Sequence, residues 1–225
     1  KVKIRLGASS GEWKAMVADE AARTTFAKNI KTVLEKNKLD GIDLDFEWAE
    51  NEKEYKDYSL AILKMREVLG DKYLFSVSLH PVCYKISKEA IEAVDFISLQ
   101  CYGPSPVRFP IEKYCSDIQM VLEYGIPKEK LVAGVPFYGV TKDNSKKTEA
   151  YFNFVQNGLV TSPAQNEVIY QGDTYVFDGQ DNIRIKTRYA KEQKLKGMMS
   201  WDLATDLPLS DSRSLLKTMT EELRE

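Results

Sequence analysis

A single histidine, His80, in 225 residues leaves no His-rich ligand set from which a zinc centre could be built. Cysteine is nearly as scarce. Cys83, Cys101 and Cys115 are odd in number and show no CxxC spacing, so they read as buried thiols that fix neither a redox compartment nor a metal site. No apolar run approaches the ~20 residues of a membrane helix, so no membrane insertion is expected. No signal peptide is visible either. The chain opens at Lys1, inside the apolar alternation KVKIRLG, as a trimmed chain or fragment would, which leaves room for an export signal upstream. A dominant charge is also missing: 32 Lys and Arg against 34 Asp and Glu give a net charge of -2. The basic residues are scattered, as in KEQKLKG, over what read as solvated helix faces. That balance argues against a nucleic-acid partner. What remains is ordinary globular composition, 43% hydrophobic and 29% charged, in a chain long enough for one large domain or two small ones.

Strands and helices alternate along the chain. KVKIRL, LDGIDLDFEW, YLFSVSLHP, VDFISLQCYG, KLVAGVPFYGV and KGMMSW read as six strands. Helical spacing predicts helices near Ala18 to Leu34, Glu52 to Leu69, SKEAIEAV, Ile111 to Glu123, Ile183 to Leu195 and Leu209 to Leu223. A hairpin is expected at NEVIYQGDTYVFDG. Such alternation implies βαβ units with parallel pairing, which leaves an open doubly wound sheet or a barrel. No Gly-rich phosphate loop follows any strand, against the nucleotide-binding open sheet. Glu47, His80, Tyr102, Tyr138 and Trp201 each fall near the C-terminal end of a different strand, where a TIM (β/α)8-type barrel keeps its catalytic groups. The fold class expected is therefore α/β, a TIM-type barrel. A full barrel has eight strands in ~250 residues. Six are present, so two βα units are missing from the count.

The stretch LDGIDLDFEW carries Asp40, Asp43, Asp45 and Glu47 among Leu39, Ile42, Leu44, Phe46 and Trp48. Period-two alternation puts Asp43, Asp45 and Glu47 on one face and Leu44, Phe46 and Trp48 on the other. Three like charges in a row repel one another and favour their neutral forms. Folding alone does not call for that arrangement. A calcium loop would need D-x-D-x-D-G in flexible backbone, whereas Leu44 and Phe46 stand between these acids.

This strand resembles the signature of glycoside hydrolase family 18, the chitinase-like barrels, Asp-Gly-x-Asp-x-Asp-x-Glu, with Asp40, Gly41, Asp43, Asp45 and Glu47 in place. GVPFYG resembles the family's Gly-x-Pro-x-Tyr-Gly on the seventh strand, and GMMSWD resembles its last strand, which ends in a substrate-floor Trp. LQCYG stands where the family has Met-x-Tyr-Asp, and RLGASSG loosely matches the Ser-x-Gly-Gly of its third strand. The resemblance begins at the family's third strand and implies that residues 1–225 form a single catalytic domain, a partial barrel of strands 3–8 with no large insertion domain.

The resemblance also implies roles. Glu47 would be general acid and then base in a retaining, substrate-assisted hydrolysis of β-1,4-linked N-acetylglucosamine polymers or oligomers, with the 2-acetamido oxygen as nucleophile. Asp45 would orient the acetamido group, and Asp43 would share a proton with Asp45, the pair titrating as one unit. Tyr102 would donate to the acetamido carbonyl. Trp201 would floor the sugar, with Tyr138 and Gln100 as further substrate contacts. Asp40 and Gly41 would be structural. No metal and no cofactor are implied. The partner is an N-acetylglucosamine-containing polysaccharide or oligosaccharide, met in a secreted, periplasmic or cell-surface setting. Two departures stand out. Gly103 replaces the Asp that follows the family's Tyr, and Gln100 replaces its Met. A Gln-x-Tyr arrangement resembles the branch that cleaves N-glycan chitobiose cores, and that activity stays open beside endo-acting chitinolysis. So does a lectin-like role, against which the retained Glu47 is the discriminator. Trp13, Trp48 and Tyr84 read as core or rim, and His80 as cleft-facing or structural.

Overall fold

A computed structural model describes residues 2–9, 11–102, 109–143 and 147–224. The elements follow in the order β1 (Arg5–Ser9), α1 (Trp13–Ala18), α2 (Glu20–Asn37), β2 (Gly41–Asp45), α3 (Glu52–Leu69), β3 (Leu74–Leu79), α4 (Lys88–Ala93), β4 (Phe96–Leu99) and α5 (Ile111–Tyr124). Then come β5 (Leu131–Pro136), β6 (Tyr138–Thr141), β7 (Thr148–Ala150), α6 (Tyr151–Gln156), β8 (Glu167–Tyr170), β9 (Asp173–Val176), α7 (Gln180–Glu192), β10 (Gly197–Trp201), a 3-10 turn (Leu203–Thr205) and α8 (Leu215–Arg224). The chain divides into two compact units, Lys1–Leu99 with Val121–Leu131, and Gln100–Met120 with Val132–Glu225.

In the first unit β1, β2, β3 and β4 pair in parallel in that order. Among the described residues β1 has a strand partner on one side only, β2. Ile42, Leu44 and Phe46 are buried, as are Phe75 and Val77 of β3, Leu34 of α2 and Tyr58, Ile62 and Met65 of α3. The helix expected from Ala18 is two helices. Asp19 interrupts it in extended conformation, and its carboxylate accepts from the Ala22 N–H at 2.7 Å, so a new helix starts there. Asn51 caps α3 in the same way, accepting from the Glu54 N–H at 3.0 Å.

In the second unit β5 pairs in parallel with β10. The expected strand KLVAGVPFYGV is in fact two strands. β5 ends at Pro136, which has no N–H to give a ladder, and the Phe137 N–H goes to the Trp201 carbonyl at 2.8 Å. β6 then enters an antiparallel sheet of order β7-β6-β9-β8. The expected hairpin is β8–β9, turning through Gln171 and Gly172 with φ of 52° and 88°. Positive φ at both central residues is the twist-matched two-residue turn. The closing helix starts at Leu215 rather than Leu209, because the Asp206 carboxylate accepts from the Leu215 and Leu216 N–H groups at 3.0 and 2.9 Å and caps it there. α7 likewise runs three residues earlier than its apolar spacing suggested.

Lys186 of α7 is fully buried, donating to Asp178 at 2.5 Å and to the Phe109 carbonyl at 2.8 Å. Burial pushes the Asp178 carboxyl up, and the neighbouring lysine opposes that shift. None of the three cysteines is in a disulfide; Cys83 and Cys101 are buried, and burial pushes Cys101 up to about 12, away from the reactive thiolate form. No helix among the described residues is long and apolar enough to cross a membrane.

Two stability predictions follow from this packing. A Cβ on Gly41 would lie 1.9 Å from the Leu74 carbonyl oxygen of the adjacent strand, so Gly41→Ala is expected to lose about 3 kcal/mol or to misfold, read by urea unfolding. Lys186→Met strands a buried carboxylate and should lose about 3–5 kcal/mol, whereas the double variant with Asp178→Leu recovers most of that loss in the same assay.

Candidate active site

β2 realises the alternation read from its sequence. Leu44 and Phe46 are 0% and 2% exposed, while Asp43 and Asp45 on the other face are half-buried and Glu47 is exposed. Glu47 is not on the strand itself. β2 ends at Asp45, opposite Ser9 of β1, and Glu47 follows two residues beyond. The segment carrying it is fixed from behind. The Trp13 indole donates to the Glu47 carbonyl at 3.3 Å and stacks on Phe46 with centroids 5.3 Å apart. Two residues on, the Ala49 N–H donates to the Cys83 sulfur at 3.2 Å, and Trp48 lies against His80 with centroids 5.0 Å apart. Trp13 is thus core, and His80 is buried against Trp48. The bond between Glu47 and Trp48 is cis, as is that between Trp201 and Asp202.

Asp43 is held from both neighbouring strands. Arg5 of β1 approaches its Oδ1 at 3.3 Å and also donates to the Ser76 hydroxyl. Ser76 donates to the same Oδ1, and Ser78 donates to Oδ2 at 2.7 Å. Neither the arginine nor the serines were singled out from sequence. The signal for Arg5 was present in its phase: it precedes Gly7 by two residues, on the face that pairs with the acids. Asp40, of opposite parity, points elsewhere and accepts from Lys3 Nζ at 2.9 Å and from the Ile4 N–H at 2.8 Å. That ties the entry of β2 to the segment before β1. Gly41 is required by the close passage of Leu74.

The second unit carries Gln100, Tyr102, Tyr138 and Trp201. Tyr102 and Tyr138 meet edge to face, centroids 6.3 Å apart at 84°, and Phe109 stands in the same relation to Tyr138 at 6.1 Å. The Tyr102 hydroxyl lies 3.8 Å from the Met199 sulfur. Gln100 and Tyr102 are 8% and 6% exposed. Trp201 is the opposite case, 55% exposed at the end of β10, an apolar surface left open. Gly103 lies outside the described residues, and so does Ser10 of the RLGASSG stretch. Among the described residues no three His, Cys, Asp or Glu side chains group as metal ligands.

Chemically, the first unit offers three carboxylates of graded exposure on one edge, and the second offers a buried tyrosine hydroxyl and an exposed indole. Residues 1–206 match the family profile "Glycosyl hydrolases family 18". A relative described as "Probable chitinase 2" from Drosophila melanogaster is 23% identical over 92% of the chain and 56% of its own length. The chain thus spans about half of that curated relative. The crystal structure of the GH18 chitinase ChiB from Flavobacterium johnsoniae superposes with a TM-score of 0.82 at 26% identity, covering 98% of this chain and 74% of that one. The chitinase-like agglutinin RobpsCRA from Robinia pseudoacacia also gives 0.82, at 19% identity over 98% of this chain and 81% of its own.

Trp13→Phe keeps the stack on Phe46 and removes the indole donor behind Glu47. It should cost about 1 kcal/mol in urea unfolding.

Proposed function

The chain belongs to glycosyl hydrolase family 18, and from that premise we propose that it is a retaining, endo-acting glycosidase cleaving β-1,4-linked N-acetylglucosamine polymers or oligomers. The observation that carries this reading is the acidic face of β2, kept intact through Glu47 while Leu44 and Phe46 anchor the other face in the core.

Glu47, exposed just past the strand, protonates the leaving glycosidic oxygen and later takes a proton from water. The 2-acetamido oxygen of the sugar closes on the anomeric carbon, so no protein nucleophile and no cofactor is required. Asp45 orients the acetamido N–H and balances the positive charge of the resulting oxazolinium ion. Asp43 sets the electrostatics of Asp45. Tyr102 and Trp201 take their roles from motif position: the first donates to the acetamido carbonyl, the second floors the sugar, as its open indole suits. Tyr138 and Gln100 contribute to the same substrate contacts.

The same reading treats residues 1–225 as a single catalytic domain. Between β5 and α7 the described residues form four strands of three or four residues and one short helix, in keeping with a domain that has no large insertion and acts on short or internal stretches of chain. β1 corresponds by resemblance to the family's third strand. The edge of β1 that has no strand partner among the described residues would seat two further βα units, in keeping with the 74% coverage of the Flavobacterium chain. A substrate of this class is met outside the cytoplasm, which places the activity in a secreted, periplasmic or cell-surface setting.

The agglutinin shares the fold, so the fold alone does not separate an enzyme from a lectin. The retained Glu47 favours the enzyme. The test is release of a chromophore from an aryl β-chitobioside. Turnover is expected, and Glu47→Gln should lower kcat by about 10²–10⁴-fold or more. A folded protein that binds chitooligosaccharides without turning them over would assign it to the binding class. Turnover of N-glycan cores alone would assign it to the chitobiose-cleaving branch that Gln100 resembles.

A further inference from the structure

Both oxygens of the Asp43 carboxylate are engaged from neighbouring strands. Directly opposite Asp43 in the β1–β2 register stands Gly7, which has no side chain, and opposite Gly41 stands Arg5. The empty place at Gly7 lets Arg5 reach along the sheet face to Asp43 Oδ1 at 3.3 Å. Its guanidinium is braced on the Phe96 ring, with Cζ 4.5 Å from the centroid. Because Arg5 donates to the Ser76 hydroxyl oxygen, the Ser76 proton is left for Asp43, and Ser78 supplies the second oxygen. The side chains of the pair are 27% and 17% exposed, so water screens them only in part.

We propose that Arg5 is a positioning residue for this protein's reaction: its guanidinium, together with Ser76 and Ser78, holds the Asp43 carboxylate in one orientation on the face it shares with Asp45. Arg5 touches no substrate and acts through Asp43. The inference rests on the catalytic reading of the acidic strand. Among the described residues, the groups set around Asp43 come from three strands. From β1 there is Arg5, from β3 the neutral Ser76 and Ser78, and from its own strand Asp45, with Glu47 beyond it. Tyr58 of α3 feels both aspartates, but it is buried and held well above its ordinary value by that burial, so it stays neutral. Its hydroxyl turns to the Leu44 carbonyl at 3.4 Å. Arg5 is therefore the cation that the described residues place on Asp43.

Without the guanidinium the Asp43 carboxylate loses one of its anchors and is free to turn. Arg5→Met should therefore lower kcat about tenfold, with KM changed less than twofold. Arg5→Lys, which keeps the charge and loses the fork, should restore most of the parental kcat. A second measurement needs no activity. In thermal unfolding, the double variant Arg5→Met with Asp43→Asn should lose less Tm than the sum of the two single variants. Additive losses would overturn the pairing whatever the protein's activity. Coupled losses with an unchanged kcat would show a purely structural ion pair and overturn the positioning role. A parental protein without turnover would defeat the proposed function instead, and the unfolding cycle would still decide whether Arg5 holds Asp43.

Discussion

The two-residue period of β2 is the constraint on which the rest depends. A strand that commits Ile42, Leu44 and Phe46 to the core must turn Asp43, Asp45 and the following Glu47 the other way. A slip of one residue would bury three carboxylates and expose the aromatic stack with Trp13, so register and chemistry are the same choice. The flanking contacts hold that register. Asp40 ties the entry of the strand to the segment before β1, and Gly41 lets the Leu74 carbonyl pass where no Cβ fits. At the exit, Trp13 and Cys83 bond to the backbone on either side of Trp48.

The residues behind the acids do different work from the acids themselves. Phe46 is wedged among Trp13, Phe26 and Tyr58, an aromatic cluster with centroids 5.3–6.2 Å apart. Such pairs add stability beyond their buried area. They also stiffen the strand that carries the charges. Exposure rises along the acidic face, from half-buried Asp43 and Asp45 to exposed Glu47.

Much of this was legible in the sequence, because both periodicities write themselves into residue order. The alternation in LDGIDLDFEW gave the face, and the repeated strand–helix pattern gave six parallel-type strands that all occur. What was not legible depended on contacts distant in sequence. Arg5 looks like one more charge in KVKIRL until the strand register sets it beside Asp43, 38 positions later. Lys186 reads as a surface lysine on α7 until Asp178 and the Phe109 carbonyl close around it. Asp206 caps α8 from nine residues upstream, beyond the reach of any local capping rule. The strand written KLVAGVPFYGV was split because periodicity does not reveal which sheet a strand will join.

The central claim is that the acidic strand drives hydrolysis with the substrate's own acetamido group as nucleophile. The most direct test is the configuration of the first product released from an N-acetylglucosamine tetramer, followed by proton NMR before mutarotation. The account predicts that the β-anomer appears first. The α-anomer appearing first would mean direct attack by water, and the mechanism assigned to Glu47 and Asp45 would be wrong.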